Sequence, residues 1–131
     1  MPLDLSFDPL NVPASSGHLK IAMERILELP VSTTSGLVYQ FSDFDERKMR
    51  KAQRGLLAGG VVNWRQLNND ETPLNAQSML DLINELDSRQ FQRGIVVDAE
   101  YMAFKLSSSY TKRQLADWER KYDNGFIPVS V

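Results

Sequence analysis

The chain has no cysteine and a single histidine among its 131 residues. The lack of cysteine excludes disulfides, thiolate catalysis and cysteine-ligated zinc or iron–sulfur sites. It also fits a protein of a reducing cytoplasm. His18 has no second histidine to share a metal, and no nucleophile pattern accompanies it. We therefore interpret His18 as an ordinary surface residue.

Long apolar runs are also missing. No stretch approaches the roughly 20 residues that a membrane-spanning helix requires, and residues 1–6 show neither the basic nor the apolar region of a secretory signal. Hydrophobic residues make up 42% of the chain, enough for the core of one domain. These observations predict a soluble single domain with no membrane partner.

Charge is nearly balanced but unevenly distributed. The net charge of −2 provides no overall attraction to nucleic acid or to an acidic membrane. Residues 44–65, however, carry six basic and two acidic side chains, whereas acidic residues outnumber basic ones in the segments before and after. The only basic concentration therefore lies in one central segment.

Apolar residues at three- and four-residue steps predict four helices, near residues 16–29, 44–58, 76–106 and 112–122. Residues suited to helix N-caps precede each: Ser15 or Ser16, Asp43 with Glu46, Asn75, and Thr111 with Gln114. Gly94 is the weak point of the third helix, since glycine costs about 1 kcal/mol relative to alanine in a helix interior. We predict one helix through it, straight or kinked, with a break as the alternative.

Strand signals are few. Residues 37–41 alternate so that Leu37, Tyr39 and Phe41 share one face, which predicts a short strand. Residues 61–67 read as an apolar link and residues 68–73 as a turn-rich loop. The predicted fold is mainly α with minor β, a small helical domain built on a helical hairpin with one long helix, plus one or two short strands.

We assign the helical domain to residues 15–131. The arm that precedes it and the tail that ends it are not predicted to be helical. Residues 1–14 contain three prolines among spaced apolar residues and predict an extended N-terminal arm. The arm either covers its own core or docks on another subunit. Residues 126–131 form an apolar tail, either a terminal strand paired with residues 37–41 or a segment for a neighbouring chain.

The candidate binding residues fall in three groups. The basic helix could neutralise phosphates, but it lacks interleaved aromatics and a recognisable DNA-reading module, so a solvated face or a face for an acidic protein is favoured. Trp64 is either a core residue between helices or, if exposed, an interface anchor. The apolar tail is the third. The residues are Arg47, Lys48, Arg50, Lys51, Arg54, Trp64, Phe126, Ile127 and Val129.

No catalytic, metal-binding or cofactor-binding constellation is predicted. Asp98 and Glu100 are two positions apart, and on a helix such residues point in different directions. The oxygen-rich loop at residues 68–73 does not have the spacing of a twelve-residue calcium loop. We therefore expect a protein that is not an enzyme.

Residues 54–83 resemble a pattern found in tail-associated proteins of tailed bacteriophages. A helix ends in small residues and Gly59–Gly60, a link with Val61, Val62 and Trp64 and an Asn–Asp turn follow, and a long helix begins at Leu74-Asn-Ala76. The similarity covers less than half of the chain. It implies a small, non-enzymatic virion or assembly component, present in the host cytoplasm during assembly and in the virion if structural.

The sequence thus favours a phage-encoded structural or assembly protein that acts by protein–protein contacts and possible self-association into an oligomer. The alternative is a small binding regulator or inhibitor that uses residues 47–54 to bind nucleic acid or an acidic host protein. A steep fall of binding with added salt would favour the regulator.

Overall fold

The computed structural model describes residues 8–123, and this part of the chain contains four α-helices and two antiparallel two-stranded sheets. The elements are α1 Ser16–Leu27, β1 Val31–Ser32, β2 Val38–Tyr39, α2 Asp43–Gly55, β3 Val62–Arg65, β4 Glu71–Leu74, α3 Ala76–Leu106 and α4 Lys112–Lys121. The prediction of a mainly α fold with minor β is confirmed.

Each helix begins with a capping box. Ser15, Asn75 and Thr111 cap α1, α3 and α4 as predicted, each accepting a hydrogen bond from the backbone N–H three residues on. The prediction for α2 was wrong by one residue. Its cap is Ser42, whose hydroxyl accepts from the Asp45 N–H while the Asp45 carboxylate accepts from the Ser42 N–H.

The helix ends differ modestly from prediction, except in α3. Helix α1 ends at Leu27, two residues early, and α2 ends at Gly55 before a 3₁₀ turn over Leu56–Ala58. Gly59 then takes a φ of 108°, a conformation that residues with a side chain rarely adopt. Helix α3 runs without a break through Gly94, as predicted, so its 31 residues span about 46 Å.

The segment after the Gly59–Gly60 break is a β-hairpin, where a link and a loop were predicted. Strands β3 and β4 pair from Val62–Leu74 to Arg65–Glu71. The turn between them closes with the Gln66 N–H donating to the Asp70 carbonyl at 2.7 Å, and Asn69 adopts a φ of 71°. Asparagine tolerates this left-handed conformation better than most residues, which suits it to the turn.

The strand predicted at residues 37–41 forms only over β2. It pairs with β1, so its partner comes from the preceding segment of the chain. Tyr39 and Phe41 are buried and Leu37 packs partly against the same core, as the alternation predicts. The tail at residues 126–131, the other partner considered, lies outside the described residues.

Two clusters of buried side chains lie along α3. The first joins the N-terminal half of α3 to α2 and the strands, with Tyr39, Met49 and Ile83 among its members. The second joins the C-terminal half to α1 and α4, with Leu19 and Trp118 among its members. Helix α3 therefore contributes buried side chains to both clusters and connects one cluster to the other.

The described part of the N-terminal arm, from residue 8 to residue 14, lies along the start of α4. The Lys112 and Arg113 N–H groups donate to the Val12 and Leu10 carbonyls, both at 2.9 Å. Two hydrogen bonds of 2.6 and 2.7 Å join the Arg113 guanidinium to the Asp8 carboxylate. This pairing lowers the pKa of Asp8 to about 2. Residues 1–7 lie outside the described part of the chain.

Candidate interaction surfaces

The five cations predicted on α2 do not form one continuous face. Met49 points into the first cluster, and at about 100° per residue Arg47, Lys51 and Arg54 lie on the opposite, solvent-exposed side. Arg50 is half-buried and donates from Nε to Glu46 at 3.1 Å, an i,i+4 pair. We call the exposed group of Arg47, Lys51 and Arg54 the basic face.

Lys48 lies apart from the basic face and lines a cleft. Its ammonium lies 5.4 Å from the centre of the Phe44 ring, and its side chain borders an open recess of about 490 Å³ between α2 and the β3–β4 hairpin. Trp64 and Leu67 line the same recess, together with Asp45, Arg65 and Glu71. We call this recess the hairpin cleft. It brings together two of the residues predicted from the sequence, Lys48 and Trp64.

Trp64 is half-buried, between the core position and the exposed position considered for it. On β3 it alternates with the exposed Asn63 and Arg65, so its ring packs partly against the first cluster while it also lines the hairpin cleft. Its cross-strand partner is Thr72, whose hydroxyl bonds the Tyr39 hydroxyl at 2.9 Å. The hydrogen bond between the Thr72 hydroxyl and that of the buried Tyr39 connects the hairpin, and thus the wall of the cleft, to the core.

The polar side chains of His18, Asp98 and Glu100 do not converge on one site. His18 is exposed at the start of α1, where its Nδ1 accepts from the Ser15 N–H at 3.0 Å and completes the capping box. Asp98 is exposed on α3, whereas Glu100 faces α4 and bonds the Lys121 ammonium at 2.8 Å. Within residues 8–123, no group of three or more His, Asp or Glu side chains is arranged to hold a metal ion.

Glu100 anchors the end of α4 to α3. Besides Lys121, it accepts a hydrogen bond from the hydroxyl of Tyr122, which is fully buried. Burial by itself would raise the pKa of Glu100, but the bonds from Lys121 and Tyr122 outweigh it and the pKa is lowered. Burial, together with the bond to Glu100, raises the pKa of Tyr122. Glu100 therefore has a structural role that its position in the sequence did not reveal.

Arg93 is fully buried between the two clusters, which the sequence did not predict. Its guanidinium donates to the backbone carbonyls of Leu27, Leu29 and Pro30 at 3.2, 2.9 and 3.0 Å, where α1 ends. The carbonyls at a helix C-terminus lack partners within the helix and carry partial negative charge, so a cation suits them. Burial lowers the pKa of Arg93.

Helix α3 also carries large apolar side chains on the side away from the core. Phe91, Ile95 and Met102 are 69%, 57% and 45% exposed. Beside them a shallow recess of about 470 Å³ opens between α3 and α1, with Met23 and Leu27 of α1 and Gly94 of α3 in its lining. We call the surface formed by Phe91, Ile95 and Met102 the outer face of α3. The apolar spacing in the sequence predicted the buried stripe of α3 but not this second, exposed stripe.

The predicted contact residues Phe126, Ile127 and Val129 lie outside the described residues. Of the helices that the structure describes, none is long and apolar enough to cross a membrane. Comparisons of the chain with protein-family models, with curated proteins and with solved structures find no match. The function must therefore be argued from the surfaces.

Proposed function

We propose that this chain is a non-catalytic protein that acts by binding other proteins, as a structural or assembly component of a tailed phage. The observation that carries the proposal is the hairpin cleft, where Lys48 and Trp64 lie together with Leu67. Tryptophan is enriched among the residues that dominate protein–protein binding energy. The phage setting, in the virion or in the host cytoplasm during assembly, rests on the resemblance of residues 54–83.

The charges of the cleft favour a polypeptide over a nucleic acid. Lys48 and Arg65 are matched by Asp45 and Glu71, so the four charged side chains sum to zero. A phosphate backbone entering the cleft would meet two carboxylates, whereas a polypeptide can offer groups of both signs and an apolar side chain for Trp64. Electrostatic complementarity of this kind contributes specificity and orientation more than affinity.

The experiment that tests the proposal locates the chain in purified particles. A photo-crosslinking phenylalanine derivative replaces Asn63, an exposed residue of the cleft, or Asp117, an exposed residue of α4, as the matched control. Particles made by the genetic element that encodes the chain are purified, irradiated and analysed by immunoblot and mass spectrometry. We expect the chain in the particles or in assembly intermediates, with a defined protein crosslinked from position 63 and not from position 117. Absence of the chain from both overturns the proposal.

The basic face supports one alternative, a regulator that binds nucleic acid. Within residues 8–123, Arg47, Lys51 and Arg54 make no ion pair, so these cations are available to phosphates. Binding of a labelled 20-base-pair duplex, followed by fluorescence anisotropy, distinguishes the two functions. The alternative predicts that log K falls with log salt with a slope of about −3, since three contacts contribute roughly −0.9 each.

Changing the three basic-face residues to glutamine should then abolish that salt dependence, while an equal loss of charge elsewhere should not. The matched control replaces Lys20, Arg25 and Lys112 with glutamine. Weak binding that both triple variants reduce equally would reflect net charge alone and would remove the alternative.

A further inference from the structure

The outer face of α3 is an apolar stripe with an ordered arrangement of charge at its two ends. Phe91 and Met102 are eleven residues apart, close to three helical turns, so they lie on one line along the helix, with Ile95 between them. Asp87 and Lys105, both exposed, are eighteen residues apart, which is five turns. They therefore flank the stripe on the same side, about 27 Å apart and with opposite signs.

We propose that the outer face of α3 binds the same face of a second copy of this chain, with the two α3 helices antiparallel about a two-fold axis near Val96. The inference deepens the proposed function, because it names one protein partner of a chain proposed to act by protein contacts. An interface of this kind is isologous: each residue of the face meets the residue related to it by the two-fold axis.

The positions of the charges favour this arrangement over a parallel one. Asp87 and Lys105 each lie nine residues from Val96, so an antiparallel pair brings Asp87 of each copy opposite Lys105 of the other, twice per dimer. In a parallel pair Asp87 of one copy would lie at the level of Asp87 of the other, about 27 Å along the helices from Lys105, so the two charges would not meet. In the single chain the Lys105 ammonium lies 5.4 Å from the Tyr101 ring, an exposed contact that leaves it free to turn.

The same axis pairs the apolar residues. Phe91 lies opposite Met102 of the other copy, and the two Ile95 side chains meet near the axis. Beside them Gly94 leaves room for a partner. Among the described residues, a methyl group added at Gly94 would meet no atom within 4 Å, so packing inside the chain does not require glycine there. The recess along α1 is therefore open to a side chain of the second copy.

One charge opposes the pairing. Asp98 lies two residues from the axis, so the two Asp98 carboxylates would be separated by only about 6 Å along the helices. Asp98→Asn removes this repulsion and should tighten the dimer about threefold to tenfold. This gain of association is a readout that damage to the fold does not produce.

Sedimentation velocity of the full chain between 1 and 200 μM tests the proposal. We expect a reversible monomer–dimer equilibrium. Phe91→Glu, which places two carboxylates in the apolar stripe of each dimer, should weaken it at least about 100-fold. The matched control is Leu57→Glu, an equally exposed apolar residue (70%) in the 3₁₀ turn, which should leave the equilibrium unchanged. Circular dichroism verifies that both variants keep their helix content.

Charge exchange tests the antiparallel geometry. Asp87→Lys and Lys105→Asp should each weaken the dimer about tenfold, and the double variant should return to within about threefold of the wild type. A chain that remains monomeric at 200 μM, a dimer indifferent to Phe91→Glu, or a double variant weaker than either single one overturns the inference. None of these results bears on whether the chain is present in particles, so the proposed function stands or falls separately.

Discussion

Arg93 carries a stability prediction that can be worked from its contacts. It is the fully buried charged side chain between the two clusters, and its guanidinium donates to three backbone carbonyls at the end of α1. Arg93→Met keeps the aliphatic part of the side chain and removes the guanidinium with every donor. The substitution therefore reports on the guanidinium, while the packing of the aliphatic part stays in place.

The expected loss of stability in Arg93→Met is the difference between two opposing contributions. A buried carbonyl left without a donor costs about 1 to 3 kcal/mol, so three carbonyls cost about 3 kcal/mol at the lower end of that range. Removing the guanidinium returns part of the cost of burying a charge, a cost visible in its lowered pKa and in the Nε that has no partner. We expect the free energy of unfolding to fall by about 2 kcal/mol in Arg93→Met. We expect about 1 kcal/mol in Arg93→Lys, because an ammonium reaches only some of the three oxygens.

Urea denaturation measures this loss, and the two tryptophans report on different clusters. Trp64 packs against the first cluster and Trp118 belongs to the second. Trp118→Phe and Trp64→Phe backgrounds therefore follow each cluster separately by fluorescence. The matched control is Arg89→Met, four residues earlier on α3, whose half-buried side chain donates, among residues 8–123, to one carbonyl, that of Ser32. It should cost less than about 1 kcal/mol, because water can replace the lost donor.

One result would refute the reasoning about Arg93. If Arg93→Met is as stable as the wild type or more stable, the cost of burying the guanidinium equals or exceeds what its three hydrogen bonds contribute, as happens for some buried ion pairs. The bonds would then determine how the end of α1 is positioned without stabilising it.

Three further predictions concern single contacts. Gly94→Ala should raise the free energy of unfolding by about 1 kcal/mol at 1 μM protein, since helix propensity improves and no atom obstructs the methyl group; a lower urea midpoint would contradict this. Ser42→Ala should cost about 1 kcal/mol in thermal unfolding and Asp43→Ala only a few tenths, and the reverse order would restore Asp43 as the cap of α2. The folded-state pKa of Asp8 is depressed, so the stability that its pairing with Arg113 contributes is present above about pH 4 and is lost as the pH falls through about 2. In urea titrations, the difference between the wild type and Asp8→Asn should therefore disappear near pH 2, and a difference that persists there would contradict the assignment.

The helices were predictable because their signals are local. Caps at Ser15, Asn75 and Thr111, apolar spacing and the residues that end each helix lie within a few positions of one another. The cap of α2 was missed because Ser42 and Asp43 both fit the pattern and only the backbone geometry separates them. Local chemistry thus determined that helices form and, to within a few residues, where they begin and end.

The sequence does contain a pattern that indicates the β3–β4 hairpin. Val62 and Trp64 alternate with polar residues, and Asn69 is suited to the left-handed turn residue. Pro73 weakens that signal, since proline removes a donor, but in a two-stranded sheet its position can face away from the partner. Because the hairpin was missed, so was the cleft that it forms with α2.

The buried arginine and the outer face of α3 had no comparable local signal. Arg93 lies in a helix of mixed polarity, where the default for a charged side chain is solvent, and its partners are more than sixty residues earlier in the chain. The basic run was recognised, but its division into a basic face and the cleft residue Lys48 depends on which side of α2 meets the core. Tertiary packing decides these features.

The division of the core along α3 has a consequence for synthesis of the chain. The buried members of the first cluster lie between residues 31 and 86, whereas the second joins Leu19 to Tyr122. A chain growing from its N-terminus therefore completes the first cluster while the apolar side of α1 is still without α4. Between Ile26 and Leu115 the ribosome needs roughly 5 to 20 seconds, at 5 to 20 residues per second. During that interval the apolar side of α1 lacks its α4 partner and is open to a chaperone or to premature association with another nascent chain.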